Sequence, residues 1–196
     1  TYRFFVEKIQ KNQVDIRNVT FVKLDEWVGF PLHTPGTCES FLQQHIVQPL
    51  GLRPEQLIGF QSENIDEKEC ERVTDLIAHR GGLDLCVLGI GKNGHLGLNE
   101  PGTALEPCCH ISRLDDQTRH HDMLKTAGRP VTHGITLGLK EILNAKEILL
   151  LIAVEGKSLA SRQFLTQSIT TSLPASFLWL HNNMHCLIDQ SCLNFG

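Results

Sequence analysis

The sequence predicts an α/β protein with three layers, in which helices cover both faces of a mostly parallel sheet. Short apolar runs alternate along the chain with longer segments of helical periodicity, as strand–helix–strand units require. The 196 residues suffice for one such core and are few for two. Because we find no internal repeat, low-complexity tract or linker, we expect a single domain over residues 1–196.

The individual elements follow from these two periodicities. Continuous apolar runs predict buried strands, in chain order at Val19–Leu24, Leu57–Phe60, Leu83–Ile90, Cys109–Leu114, Glu147–Val154 and Met184–Asp189. Apolar residues spaced three or four apart predict helices, in chain order at Thr1–Gln10, Glu39–Leu50, Asp66–His79, Gly134–Leu143, Lys157–Leu165 and Pro174–Leu180. The glycines of Arg80-Gly81-Gly82 provide the left-handed end of the third helix.

Composition excludes several classes of partner. The formal net charge is −4, and no dense Lys/Arg face is present, so we expect neither a nucleic-acid nor a membrane partner. No apolar run is long enough to cross a bilayer. The seven cysteines are odd in number, irregularly spaced and without a C-x-x-C pair, which disfavours a disulfide framework or a zinc ribbon and predicts a cytoplasmic location.

The third predicted strand runs into a glycine motif, Gly-x-Gly-x-x-Gly at residues 89–94. A dinucleotide-binding fold requires a long helix after the third glycine and an acidic residue about 20 positions later. Asp115 and Asp116 satisfy the second requirement, but Gly97 and Pro101 interrupt the helix. Such interruptions cost several kcal/mol of helix propensity, so a nicotinamide or flavin cofactor is disfavoured.

The same glycines favour a ligand-binding loop at the carboxyl end of a parallel strand. This loop carries Asn93, His95 and Glu100, and a histidine held by an amide and a carboxylate is suited to proton transfer. Asp25 follows the strand Val19–Leu24 and is expected at the same edge of the sheet. In the alternative interpretation these polar residues merely cap turns or face solvent. Together they predict a cleft that moves protons on a carbonyl compound.

Cys108-Cys109-His110, with His120-His121, offers candidate ligands for a metal ion. Adjacent residues of a strand point to opposite faces, so the two cysteines cannot both bind one ion without a bulge. We therefore expect no metal.

Two longer stretches carry a family resemblance: LDEWVGFPLHTPGTCESFL at residues 24–42 and LGIGKNGHLGLNEPG at residues 88–102. They resemble the glucosamine/galactosamine-6-phosphate deaminase/isomerase family of amino-sugar catabolism, its galactosamine-6-phosphate branch most closely. The related 6-phosphogluconolactonases share the Gly-His loop but lack the Asn-Glu-Pro-Gly that follows it here. The resemblance implies a Rossmann-like fold of the sugar-phosphate isomerase type, a sugar phosphate as substrate, no cofactor, and a homo-oligomer.

The resemblance also implies roles for individual residues. Asp25 matches the base that removes the C2 proton of the opened sugar, and His95 matches the residue that opens the ring. Asn93 and Glu100 match positions that orient and tune this histidine. Some family members have aspartate in place of Asn93; an amide still orients the ring but holds no negative charge.

For the substrate, Gly89 matches a backbone contact to the sugar and Lys157 matches a phosphate contact. A phosphate-binding arginine of some members falls near Leu124, where Lys125 is the available cation; a lysine would supply a point charge and not a bidentate fork.

The resemblance implies that a strand and a phosphate loop precede the first helix in family members. We therefore expect the domain to be N-terminally incomplete, with an open strand position and weakened substrate binding. The expected activity is deamination and isomerisation of galactosamine 6-phosphate or glucosamine 6-phosphate to a ketose 6-phosphate and ammonia. The alternatives are a non-catalytic or vestigial sugar-phosphate-binding relative and a 6-phosphogluconolactonase-like hydrolase.

Overall fold

The computed structural model describes residues 1–119, 130–153 and 156–193. Its strands are β1 (Phe21–Val22), β2 (Asp25–Trp27), β3 (Leu57–Ile58), β4 (Leu85–Gly89), β5 (His110–Arg113), β6 (His133–Thr136), β7 (Glu147–Ile152) and β8 (Met184–Ile188). Its α-helices are α1 (Tyr2–Lys11), α2 (Cys38–Leu42), α3 (Gln48–Leu50), α4 (Glu67–His79), α5 (Asp116–Arg119), α6 (Leu139–Leu143) and α7 (Ser158–Leu165). A π-helical turn (Gln43–Val47) joins α2 to α3, and 3₁₀ turns form at Pro54–Gln56, Pro174–Leu180 and Gln190–Leu193.

The strands pair in three groups. β1 pairs with β3 and β4-β7-β8 form a second group, both parallel, whereas β2-β6-β5 is antiparallel. Helices pack beside these sheets, so the predicted α/β class with mostly parallel pairing is confirmed. None of the helices in the described ranges is long and apolar enough to span a membrane.

The largest core lies on one face of the β4-β7-β8 sheet. Ile148, Leu150 and Ile152 of β7 are fully buried there, against Phe164 of α7 and Leu178. Burial alternates along β4, and on its other face Leu85 and Val87 are about half exposed (51% and 50%). The expectation that β4 is buried on both faces is therefore wrong within the described residues, because its side chains alternate between core and surface.

The segment predicted as a helix at Gly134–Leu143 divides into a strand and a shorter helix. β6 ends at Thr136, and α6 begins only after Gly138. A side chain at residue 138 would collide with the backbone of Cys108. The apolar spacing of this segment is helical, but pairing of β6 with β2 on one side and β5 on the other decides its conformation.

The predicted strand at Val19–Leu24 is also shorter than expected. After β1 the chain changes partners: the Lys23 N–H still bonds to Ile58 O of the parallel pair, whereas Leu24 O accepts a bond from Leu137 N. Asp25 therefore begins the antiparallel strand β2, opposite Thr136, and does not end the first strand.

Candidate active site

Two tight backbone contacts shape the glycine loop after β4. The Gly91 N–H donates to His95 O (2.9 Å), and the Gly94 N–H donates to Gly91 O (3.0 Å). Gly94 has φ +90°, a conformation that favours glycine, and a Cβ at residue 91 would collide with the His95 ring. The glycines therefore bring the backbone close to the histidine, and Gly97 and Pro101 follow in turns and extended segments where a nucleotide-binding helix would have to run.

His95 lies in a small polar cluster. Asn93 Oδ1 accepts from the His95 N–H (3.2 Å), while Asn93 Nδ2 donates to Glu100 Oε2 (2.9 Å). The same Glu100 oxygen lies 3.4 Å from His95 Nδ1, and Thr118 Oγ1 lies 3.2 Å from that nitrogen. Three residues predicted from the sequence are thus in contact, and Thr118 of α5 is a fourth that the sequence did not reveal.

The surroundings of Glu100 favour its charged form. Burial raises the pKa of Glu100, but the hydrogen bond and charge of His95, with hydrogen bonds from Thr118 and Asn93, lower it by more. Because Glu100 and Thr118 both contact Nδ1, Nε2 is the ring nitrogen of His95 that is left to contact a ligand. The cluster is suited to shuttling a proton to a polar ligand.

Asp25 has the opposite electrostatic character. Burial raises its pKa to about 6, a hydrogen bond from Cys38 lowers it, the Glu26 charge raises it, and His95 and Lys23 lower it. Cys38 Sγ donates to Asp25 Oδ1 at 3.3 Å. A carboxyl group with a pKa near working pH can both accept and return a proton, which is what an acid–base catalyst requires.

A buried network of ion pairs, formed by Lys23, Glu26 and Glu39, lies next to Asp25. Lys23 Nζ contacts Glu26 Oε2 (2.8 Å), Glu39 Oε2 (2.9 Å) and Phe60 O (3.1 Å). Lys23 and Glu26 are almost completely buried, at 2% and 0% exposure. Lys23 lies two residues before Asp25 and Glu26 directly follows it. Because both side chains are buried and hydrogen-bonded, the backbone at Asp25 has little freedom to move.

Trp27, two residues after Asp25, is buried in a separate apolar cluster with Phe30 and Leu98. Its Nε1 donates to Gly36 O at 3.2 Å, so the structure assigns it a packing role.

Two of the three predicted substrate-binding residues, Gly89 and Lys157, lie at or after the carboxyl ends of β4 and β7. Gly89 is exposed at the end of β4, opposite Leu151 of β7. Lys157 precedes α7; burial lowers its pKa, Cys192 opposes this shift, and the charge of Lys92 adds to it.

Lys92, which belongs to the glycine loop, approaches the same turn, with its Cε 3.3 Å from where a Cβ of Gly156 would lie. Lys92 and Lys157 therefore lie beside the same turn, and we call this pair of lysines the cationic corner of the site. Lys125, the other predicted contact, lies outside the described residues.

The structure thus adds Thr118, Cys38, Lys23 and Lys92 to the residues proposed from the sequence. Lys23 was visible as a charged residue inside an apolar run, and Lys92 as a cation within the glycine loop. In the ranges that the structure describes, no three His, Cys, Asp or Glu side chains are grouped so as to hold a metal ion. His120 and His121, considered with Cys108-Cys109-His110, lie outside those ranges.

Comparison with known families identifies the chain. Residues 1–187 match the family of glucosamine-6-phosphate isomerases and 6-phosphogluconolactonases. The chain belongs to this family. It is 69% identical over 189 residues to an Escherichia coli K12 protein named "Putative deaminase AgaI", covering 96% of this chain and 75% of that protein. It is 36% identical over 196 residues to the glucosamine-6-phosphate deaminase of Halalkalibacterium halodurans, covering 98% of this chain and 79% of the relative.

Solved structures agree with this assignment. A monomeric glucosamine-6-phosphate deaminase superposes with a TM-score of 0.92 at 32% identity, covering 100% of this chain and 82% of that one. The 6-phosphogluconolactonase of Trypanosoma brucei superposes with a TM-score of 0.72 at 16% identity, over 100% and 81% of the two chains. The second likeness shows a shared fold.

Proposed function

We propose that the protein deaminates and isomerises an amino sugar 6-phosphate, either galactosamine 6-phosphate or glucosamine 6-phosphate, to a ketose 6-phosphate and ammonia. The observation that carries the proposal is the pairing of two proton-transfer groups of different character. One is Asp25, whose pKa is raised to about 6, and the other is His95, held by Glu100 and Asn93. Aldose–ketose isomerisation needs such a pair and no redox cofactor.

In the first step His95 opens the sugar ring. The ring C1–O5 bond breaks as O5 gains a proton and the C1 hydroxyl loses one, so that the net number of protons is unchanged. Glu100 and Thr118 hold Nδ1 of His95, and the second ring nitrogen is then free to relay the proton. Asn93 fixes the loop by binding both the His95 N–H and Glu100.

In the second step Asp25 removes the proton from C2 of the open aldehyde. The C–H electron pair forms a C1–C2 double bond, and the carbonyl oxygen of C1 is protonated. The Asp25 carboxyl group then returns its proton to C1, which leaves an iminium group at C2. Water adds to C2 and ammonia departs, giving the ketone and releasing the proton that the C1 oxygen had taken up. A carboxyl pKa near 6 allows Asp25 to take the proton and to give it back.

We assign phosphate binding to the cationic corner of the site. Lys157 and Lys92 approach each other beside the turn after β7, at the same edge of the sheet as the glycine loop. An anion between them would relieve their mutual repulsion. Gly89 leaves the carboxyl end of β4 open for backbone contact with the sugar, and Lys125 remains a predicted third contact.

The deaminase proposal is favoured over both alternatives. The relatives at 32–69% identity are named deaminases, whereas the lactonases match at 14–18%. Lactone hydrolysis also needs no base at a sugar C2, which would leave the raised pKa of Asp25 without a use. A non-catalytic binding protein would likewise not require two groups poised for proton transfer.

The test is ammonia release by the full chain from galactosamine 6-phosphate and from glucosamine 6-phosphate, followed with a coupled assay. We expect release from at least one substrate and its loss in Asp25→Asn, while calorimetric titration still detects sugar-phosphate binding by that variant. Asp84→Asn, which changes an exposed carboxylate, is the matched control and should retain activity. Binding without any turnover by the unmodified chain would support the non-catalytic alternative.

We also propose a homo-oligomer in a reducing, cytoplasmic environment. Leu85 and Val87 of β4 and Leu187 of β8 expose apolar surface on the same three-stranded sheet, which favours self-association, and the seven cysteines are free thiols. A related deaminase is monomeric, so the assembly is to be measured by sedimentation equilibrium.

A further inference from the structure

We propose that Cys38 is a positioning residue for the base, and that its thiol sets the direction and the proton affinity of the Asp25 carboxylate. The inference rests on the function proposed above, in which Asp25 transfers the proton. Cys38 comes from α2, whereas Asp25 belongs to β2.

The position of the thiol is built into the fold. Cys38 is the first residue of α2, and its N–H donates to Glu26 Oε1 at 2.9 Å. The Glu39 N–H donates to the other oxygen of the same carboxylate at 2.8 Å. Glu26 follows Asp25 directly in β2, so one buried carboxylate connects the start of the helix to the strand that carries the base.

Two further contacts restrain the beginning of the helix. Thr37 accepts from the Ser40 N–H (3.1 Å) and donates to carbonyl oxygens of the preceding turn, one of them Thr34 O (2.9 Å). Lys23 holds both Glu26 and Glu39 from the opposite side. The Cα of Cys38 is thereby fixed relative to Asp25, and its Sγ lies 3.3 Å from Asp25 Oδ1.

The thiol remains a donor over the working pH range. Burial, followed by the charges of Asp25 and Glu26, raises the pKa of Cys38 well above that of a free thiol. A protonated thiol gives Oδ1 a hydrogen bond and leaves Oδ2 without this contact. A weak sulfur donor fits this task, since it orients the carboxylate while lowering its basicity less than a hydroxyl would.

Four other titratable groups act on the same carboxylate. Glu26 raises the pKa of Asp25, while Lys23 and His95 lower it. Tyr2 of α1 lies close enough for the Asp25 charge to raise the tyrosine pKa, which is raised first by burial. Among the described residues none of these four forms a side-chain hydrogen bond with the Asp25 carboxylate, so replacing Cys38 changes the direct contact and leaves these charges in place.

The test compares three variants of the full chain. Cys38→Ala and Cys38→Val remove the donor, the second while filling the volume of the thiol, and Cys38→Ser retains a donor. We expect the acid limb of kcat/KM to move to higher pH by about half to one unit in the Ala and Val variants, which is about a three- to tenfold loss below the limb. The Ser variant should keep the wild-type limb or shift it slightly lower.

A second readout needs no turnover. Infrared difference titration of the Asp25 carboxyl, taken against Asp25→Asn, should show the same upward shift of its pKa in the Ala and Val variants. If wild type releases no ammonia but this shift is present, the proposed function fails and the positioning role stands. An unchanged pKa in both donor-free variants, or an equal shift in all three, overturns the role of Cys38. Circular dichroism identifies any variant that does not fold, and the other variants then decide the question.

Discussion

The two proton-transfer groups of the site are held in different ways. Asp25 is backed by buried charges, with Lys23, Glu26 and Glu39 sharing contacts of 2.8–2.9 Å. His95 is held by a glycine turn and by longer contacts of 3.2–3.4 Å with Asn93, Thr118 and Glu100. Its side chain is 18% exposed. The base is therefore rigid and electrostatically strained, whereas the histidine is positioned by backbone geometry and can adjust to a substrate.

The largest expected effect on activity is that of replacing His95, the group held by the glycine turn. Replacing His95 with Gln removes the imidazole to which ring opening is assigned, so kcat for ammonia release should fall by about 10²- to 10⁴-fold. His185→Gln, which changes an exposed histidine of β8, is the matched control and should leave kcat unchanged. A His95→Gln variant with wild-type kcat would contradict the assignment of ring opening to this residue.

Substitutions in the buried ion network beside Asp25 should chiefly lower the free energy of unfolding. Lys23→Met leaves Glu26 and Glu39 buried without their cation, which costs about 3–5 kcal/mol of the free energy of unfolding. Lys146→Met breaks an exposed pair with Asp84 and should cost at most about 1 kcal/mol. Urea unfolding measures both. Equal losses would show that the buried network around Lys23 stabilises the fold no more than the exposed Lys146–Asp84 pair does.

Burial of the Asp25 charge should make the free energy of unfolding gained by an Asp25→Asn variant depend on pH. Its folded pKa of about 6 lies above the usual aspartate value, so its contribution to stability is complete below pH 4 and is lost as pH rises through 6. Asp25→Asn removes the cost of burying the charge and should raise the free energy of unfolding at pH 7 by about 3 kcal/mol. The gain should vanish near pH 4. A gain independent of pH would contradict the raised pKa.

The smallest effect concerns the phosphate corner. Lys157→Met should raise KM for the sugar phosphate more than Lys92→Met does, because Lys92 is exposed and screened by solvent. For Lys92 we expect about a two- to fivefold increase, in line with exposed ion pairs. Initial rates over a range of substrate concentrations separate KM from kcat, and Lys146→Met again serves as control. A larger effect at Lys92 would reverse the order of the two cations.

The site was predictable from sequence where its residues are close along the chain. Asn93, His95 and Glu100 lie within eight residues, and a glycine turn brings such residues together without help from other elements. Cys38 and Thr118 reach the site from α2 and α5, and no local pattern marks them. The strand at His133–Thr136 was missed for a related reason, since its pairing with distant strands overrides a helical apolar spacing.

The close approach of Gly91 to His95 has an evolutionary consequence. Any side chain at residue 91 would occupy the space of the imidazole ring. Residue 91 can therefore diverge only in descendants that have already lost the histidine or moved its ring. Across related sequences the two positions should change together, and a branch that retains His95 should retain glycine at 91 however far the rest of the loop has drifted.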